Sequence, residues 1–129
     1  MFRELVTANR SYRRFLESET ISRQTLLELI DLARLSPSGA NKQALRYYVS
    51  CDAKQNERVF DALAWAAYFR DWAGPVAGER PSGYIVIVQD QANKMVSGID
   101  YGIAAQTILL GAVEKGLGGC MIGNINKHK

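Results

Sequence analysis

The chain has 129 residues, 47% of them apolar and 22% charged, with a formal net charge of +3. That length and composition fit one globular domain over residues 1–129 and exclude a disordered polymer. The charge is too small to argue for a nucleic-acid partner, and no apolar run approaches the roughly 20 residues that cross a bilayer.

The start, Met1-Phe2-Arg3-Glu4, lacks the basic-then-apolar pattern of a secretory signal. Cys51 and Cys120 read as two small buried residues, and a disulfide is not expected in a chain without an export signal. A single histidine, His128, gives no basis for a His-based metal site. A reduced, cytoplasmic compartment follows as an expectation.

In chain order, residues 2–8 predict a short helix with Phe2, Leu5 and Val6 on one face. Residues 9–15 predict a loop or extended segment. Ser22 predicts an N-cap, with Ile21 stapled onto Leu26. Leu26, Leu29, Ile30 and Ala33 then form one helical stripe that must end before Pro37. The stretch from Ser36 to Asn41 is dense in turn formers. Residues 47–51 predict a strand and residues 56–68 a helix. The aromatic group Trp65, Tyr68, Phe69 and Trp72 has core spacing, or could wall a planar ligand. Residues 74–83 form a connector. The β-branched run from Tyr84 to Val88 predicts a strand buried on both faces. Residues 93–115 predict a long helix, apolar nearly all round, buried in the domain or in an interface, with Gly116 as its C-cap. Residues 119–123 predict one more strand.

This order predicts helices packed on a central sheet. The chain stops at Asn124–Lys129, where a further helix would begin, so the C-terminal part of the domain is expected to be missing.

Three segments carry chemistry. Arg10-Ser11-Tyr12-Arg13 places two guanidinium groups and a hydroxyl within four residues, which can surround one phosphate by charge-assisted hydrogen bonds. An extended segment would point Arg10 and Arg13 to opposite faces, so one phosphate seen by both requires a bend. A solvated basic turn is the alternative. Pro37-Ser38-Gly39-Ala40-Asn41-Lys42-Gln43 offers a backbone that can approach a flat ring at Gly39, and amide side chains at Asn41 and Gln43 that suit a heterocycle edge. An ordinary helix-to-strand connection is the alternative. The glycines from Gly116 to Gly123 follow a helix and enter a strand, so a dinucleotide fingerprint fails, as do a phosphate loop and a nucleophile elbow. Gly123 and Asn124 could present backbone N–H groups to a ligand.

In this order, these segments resemble the nitroreductase family. The residues carrying the resemblance are Arg10-Ser11-x-Arg13-x-Phe15, Ser36-Pro37-Ser38-Gly39-x-Asn41-x-Gln43, and Asp100-x-Gly102-x-Ala104-x-Gln106 leading to Lys115-Gly116-Leu117-Gly118. Leu63-Ala64-Trp65 through Asp71-Trp72 to Arg80-Pro81-Ser82 is similar to one subgroup. The resemblance implies an α+β fold, a central mixed sheet flanked by helices, and a homodimer built on a long buried interface helix, with FMN at the interface. It implies that Arg10 and Ser11 hold the FMN phosphate or ribityl chain and that Arg13 faces the pyrimidine side of the ring. Pro37, Ser38, Gly39, Asn41 and Gln43 would reach the flavin bound mainly by the partner, and Gly123 and Asn124 would lie near N5.

The implied activity passes a hydride from NAD(P)H through the flavin to a small electron-poor acceptor, with no protein nucleophile, metal, nucleic acid or membrane. Within this resemblance, a non-catalytic flavin sensor and a flavin-dependent dehalogenase-like enzyme are the alternatives. The chain departs from the family at Asn9, where a second basic residue is common, and at Gln43-Ala44-Leu45, where Gln-Pro-Trp is common. It also lacks the last strand and tail, which usually add a basic phosphate ligand and wrap the partner.

Overall fold

The computed structural model describes residues 1–89, 91–93 and 97–129. Helix α1 (Phe2–Ala8) matches the sequence expectation and ends where Asn9 turns extended. Helix α2 (Arg23–Leu35) starts at Ser22, whose Oγ accepts from the Thr25 N–H at 3.0 Å. That bond satisfies one of the donors left over in a first helical turn. Ile21 and Leu26 both press on Gly83. The helix stops at Ser36, in the extended conformation that a following proline imposes. Leu26, Leu29 and Ala33 are buried, as the periodicity predicts.

Strands β1 (Leu45–Ser50) and β2 (Tyr84–Gln89) pair antiparallel, with Leu45 opposite Gln89 and Ser50 opposite Tyr84. Leu45, Tyr47, Ile85 and Ile87 share one face and pack on the helical core. The other face carries Arg46, Tyr48, Val86 and Val88, of which Tyr48 and Val88 are exposed. β2 is therefore half-buried rather than buried on both faces as its composition predicts. Among the described residues the sheet is this small antiparallel pair rather than a mixed one, and the parallel pairing of Ser11 with Gly119 is an isolated bridge outside it. At the strand ends the fully buried Ser50 donates to Asn56 Oδ1 at 2.7 Å, and Asn56 Nδ2 donates to the Ser82 carbonyl at 2.8 Å. The Ser50 hydroxyl, the Asn56 amide and the Ser82 carbonyl are thereby satisfied in a chain.

Helix α3 (Ala53–Asp61) lies earlier and is shorter than the expected helix over 56–68. Asp52 caps it, accepting from Gln55 N at 3.0 Å. It ends because the following residues pair with a distant segment. Ala64 N donates to Asn124 O at 3.0 Å, Asn126 N donates to Ala62 O at 2.8 Å, and Leu63 bridges Ile125. The aromatic group is accordingly split. Trp65 is buried between Phe15 and Phe60, with ring centroids 6.5 and 6.0 Å away, whereas Tyr68 is 93% exposed.

Helix α4 (Ser97–Glu114) packs along α2, joining Ala104, Ile108 and Ala112 to Leu29 and Ala33 in one core. Of the longer helix expected over 93–115, residues 94–96 lie outside the described set. One face is buried in the domain, while Ile99 and Tyr101, on either side of Asp100 near the start of the helix, are 77% and 49% exposed. Gly116, at φ +74°, ends the helix. Its N–H donates to Val113 O at 2.9 Å and the Leu117 N–H donates to Ala112 O at 2.8 Å, the paired bonds of a Schellman stop. Lys115 Nζ donates to Glu28 Oε2 at 2.5 Å, which ties α4 back to α2 and holds the Glu28 carboxyl below the ordinary carboxylate range. The strand expected over 119–123 is absent. Glycine-rich backbone gains little from a ladder, and the segment keeps only the Ser11–Gly119 bridge. Both cysteines are free and half-buried rather than fully buried.

Two outcomes follow from this packing. Leu29→Ala removes a side chain that is 3% exposed at the α2–α4 seam, and should cost about 2–5 kcal/mol in a denaturant titration. A loss well under 1 kcal/mol would mean that the seam is not the core. Tyr84 buries its hydroxyl without a hydrogen-bond partner among the described residues, and burial pushes its ionisation from 10.0 up to about 12. The folded state holds that proton where the unfolded chain releases it, so this part of the stability falls as pH rises between those two values. Tyr84→Phe should flatten that alkaline slope and leave neutral-pH stability equal or higher. An unchanged slope would show that the phenol is hydrated in the native protein.

Candidate functional site

The basic segment bends at Ser11. The Tyr12 N–H donates to Arg10 O at 3.0 Å and to Gly119 O at 3.1 Å, so the chain folds tightly about Ser11. Arg13 Nη1 closes the same turn by donating to Ser11 O at 3.2 Å. Tyr12 is pinned by its hydroxyl, which donates to Ala8 O at 2.8 Å, and its ring lies flat against Gly118. A Cβ at position 118 would stand 2.6 Å from the ring, so only glycine permits this approach. Asn9 Nδ2 adds a longer bond, 3.4 Å, to Gln106 Oε1 on α4.

The charges on this segment are unequal in their partners. Arg14 faces Glu79 at 3.5 Å. Arg10 and Arg13 have no acidic partner among the described residues. Arg10 and Ser11 are exposed and Arg13 is half-buried. Burial pushes the neighbouring Cys120 thiol above its ordinary value, while the Arg13 charge pulls the other way. A thiol held in that form is a poor nucleophile.

The second segment is a tight turn built against α4. Ser38 is extended and residues Gly39–Asn41 form a single 3₁₀ turn. Ala40, Asn41 and Gln43 all adopt positive φ, at 49°, 53° and 49°. Such conformations cost about 1–3 kcal/mol each for non-glycine residues and persist only when the surroundings over-determine them. The surroundings do so here. Asn41 N donates to Ser38 O and Lys42 N to Gly39 O, each at 3.0 Å. Gln43 N donates to Ser38 Oγ at 3.2 Å, and Gln43 Nε2 to Asn41 Oδ1 at 2.8 Å. Gly39 N donates to Asp100 Oδ1 at 2.9 Å, and Ser36 Oγ donates to Thr107 Oγ1 at 3.0 Å. A cavity of about 140 Å³ opens beside the turn, lined by Arg34, Ser38, Gln43, Tyr47 and Asp100. Pro37, Asn41 and Gln43 remain exposed at the rim.

Gly123 and Asn124 form a third, separate group. Both are exposed, and the Asn124 carbonyl is taken by Ala64 N. Their own N–H groups donate to nothing among the described residues.

Helix α4 brings the first two groups onto one scaffold: Asp100 and Thr107 hold the turn, and Gln106 meets the segment that bears Arg10. No hydrogen bond or ion pair among the described residues joins the three groups directly. Asp100 and Thr107 are neighbours of the candidate turn that composition alone does not single out. Their signal is an acidic residue and a hydroxyl seven positions apart on the buried stripe of an otherwise apolar helix. The exposed Tyr68 and Phe69 pack on each other, with centroids 5.8 Å apart, and do not join Trp65 in a common wall. Among the described residues no cluster of three His, Cys, Asp or Glu side chains could hold a metal, and no helix is long and apolar enough to cross a membrane.

Comparison with known proteins adds the family. The family model "Nitroreductase family" matches residues 6–129. A nitroreductase family protein from Clostridium novyi NT is 27% identical, with a TM-score of 0.77, covering 99% of this chain and 72% of that one. An FMN-dependent nitroreductase from Clostridium difficile is also 27% identical, with a TM-score of 0.72 over 95% of this chain and 60% of its own. A protein from Desulfovibrio desulfuricans solved in complex with FMN shares the fold at 20% identity, with a TM-score of 0.68 over 88% of this chain and 62% of that one. The chain thus spans between three fifths and three quarters of these relatives' lengths. No curated protein matches it. With the family model covering nearly the whole sequence and the fold matching end to end, the chain belongs to the nitroreductase family.

Proposed function

We propose that this protein is an FMN-dependent oxidoreductase whose flavin site is shared between two copies of the chain, working in the cytoplasm. The observation that carries the reading is the pair Arg10 and Arg13, which flank the bend at Ser11 and have no acidic partners among the described residues. Two guanidinium groups left unneutralised on a rigid turn are a site for a dianionic phosphate. The donor set fits FMN in its other parts as well. Gly39 to Asn41 form a turn whose Ala40 and Asn41 are exposed, and the exposed Gly123 donates its N–H to nothing among the described residues.

In this reading Arg10 and Ser11 hold the phosphate or ribityl chain, and Arg13 sets positive charge beside the pyrimidine edge. Pro37, Ser38, Gly39, Asn41 and Gln43 reach the ring held mainly by the other copy. Gly123 and Asn124 direct N–H groups towards N5. The chemistry supplied by bound FMN is hydride exchange in ping-pong order, from NAD(P)H to an electron-poor acceptor such as a nitroaromatic or quinone. The residues orient and stabilise; none acts as a nucleophile.

The exposed apolar side chains favour a second copy. Phe2 and Val6 on α1, and Ile99 and Tyr101 on α4, are all exposed, and α1 packs beside α4. Apolar surface of that kind on adjacent helices is costly in water and matches a helix-mediated interface.

Titration of the purified protein with FMN, followed by visible absorbance, tests the proposal. Saturable binding and bleaching by NADH or NADPH under anaerobic conditions are expected. Arg10→Ala and Arg13→Ala should each weaken FMN binding about tenfold or more, since each removes a charge-assisted contact. Absence of any flavin binding would end the reading. Binding without bleaching by either nicotinamide would leave a flavin sensor in place of an enzyme.

A further inference from the structure

We propose that Asp100 is the positioning residue of the flavin turn: its carboxylate, reaching from the first turn of α4, fixes the conformation in which Gly39, Ala40 and Asn41 meet the cofactor. The inference rests on the FMN reading above and adds to it a residue that touches no ligand.

Asp100 is an acidic residue only 4% exposed, set in a largely apolar helix. Oδ1 accepts from the Gly39 N–H at 2.9 Å. Oδ2 is buried and has no hydrogen-bond partner among the described residues. Burying a carboxyl with one oxygen unsatisfied is unfavourable, and an alanine or leucine there would pack without that cost. The residue is therefore expensive to keep, and the contact it gives in return is the one to Gly39.

That contact sits where it has most leverage. Gly39 opens the 3₁₀ turn, and the left-handed residues at 40, 41 and 43 follow it. The turn's other bonds are internal, between Ser38, Gly39, Asn41, Lys42 and Gln43, and could move as a unit. Only Asp100 links the turn itself to α4 by a hydrogen bond among the described residues. Thr107, one stripe position further along, holds the entry through Ser36. Two points of attachment on one helix face leave the turn a single orientation, and Asp100 controls the end that would meet the ring.

The test compares Asp100→Ala and Asp100→Asn in the full chain by two readouts: FMN affinity from flavin titration, and amide hydrogen exchange of residues 39–43 in the FMN-free protein. Asparagine keeps an oxygen for Gly39 and alanine does not. The expected result is FMN binding about tenfold to a hundredfold weaker in Asp100→Ala, and within about threefold of the parent in Asp100→Asn. Exchange across the turn should be faster in the alanine variant alone. Alanine binding and exchanging like the parent would overturn the proposal, as would asparagine failing as badly as alanine. Should the alanine variant not fold, Asp100→Glu takes its place. It keeps the charge but displaces the oxygen by one methylene, and parent-like binding and exchange there would equally overturn the proposal. If the parent binds no FMN, the flavin reading fails by itself. The anchoring role is then judged on exchange alone: it stands if alanine accelerates the turn and asparagine does not, and falls otherwise.

Discussion

The seam between α2 and α4 is the constraint on which the rest of the molecule depends. Ala104, Ile108 and Ala112 lie against Leu29 and Ala33, and small residues on one side let the helix axes come close. That stripe is also where the polar exceptions sit. Asp100 and Thr107 belong to it by position, and both reach out of it towards residues 36–39. The helix ends in a glycine stop whose next residue, Leu117, returns to the same core. The chain thereby delivers Gly118 and Gly119 against Tyr12. A single packed helix thus sets the location of the strained turn at one end and of the arginine turn towards the other.

Strain and support are matched within the turn at residues 36–43. Three left-handed residues other than glycine would be unfavourable in a free loop, and alanine at position 40 has no side-chain hydrogen bond to offset this. A loop serving only to join α2 to β1 would be easier to build without them. The bonds from Asp100, Ser38 and Asn41 hold a shape that connection alone does not require.

Much of the helical frame was legible in the sequence. The cap at Ser22, the stripe from Leu26 to Ala33, the stop before Pro37 and the glycine at 116 are local signals, and each appears where its local chemistry demands. The errors arise where distant segments compete. Residues 62–64 have a helical pattern but pair with residues 124–126, and the backbone bonds gained there end α3. Residues 119–123 have strand composition, yet their neighbour is the turn at Ser11, which offers one bridge and no ladder. The run at 84–88 has the composition of a doubly covered strand, while the helical core meets only its Ile85 and Ile87 face. In the candidate site, the arginine cluster is a local run that could be read directly. Asp100 could be read only as the head of a family-like motif, because its contact is with a backbone N–H sixty-one residues away.

The layout along α4 fixes how the two turns are spaced. With a rise of about 1.5 Å per residue, the stretch from Asp100 to Gly116 covers roughly 24 Å, and that from Asp100 to Gln106 roughly 9 Å. The strained turn is fastened at the first of these positions. The arginine turn is fastened beyond the last, through Tyr12 and Gly119, with only the Asn9–Gln106 bond reaching back along the helix. The spacing of the two turns is therefore set by the packed helix, one fastened to its first turn and the other to the chain that leaves its glycine stop, and not by any hydrogen bond between them among the described residues.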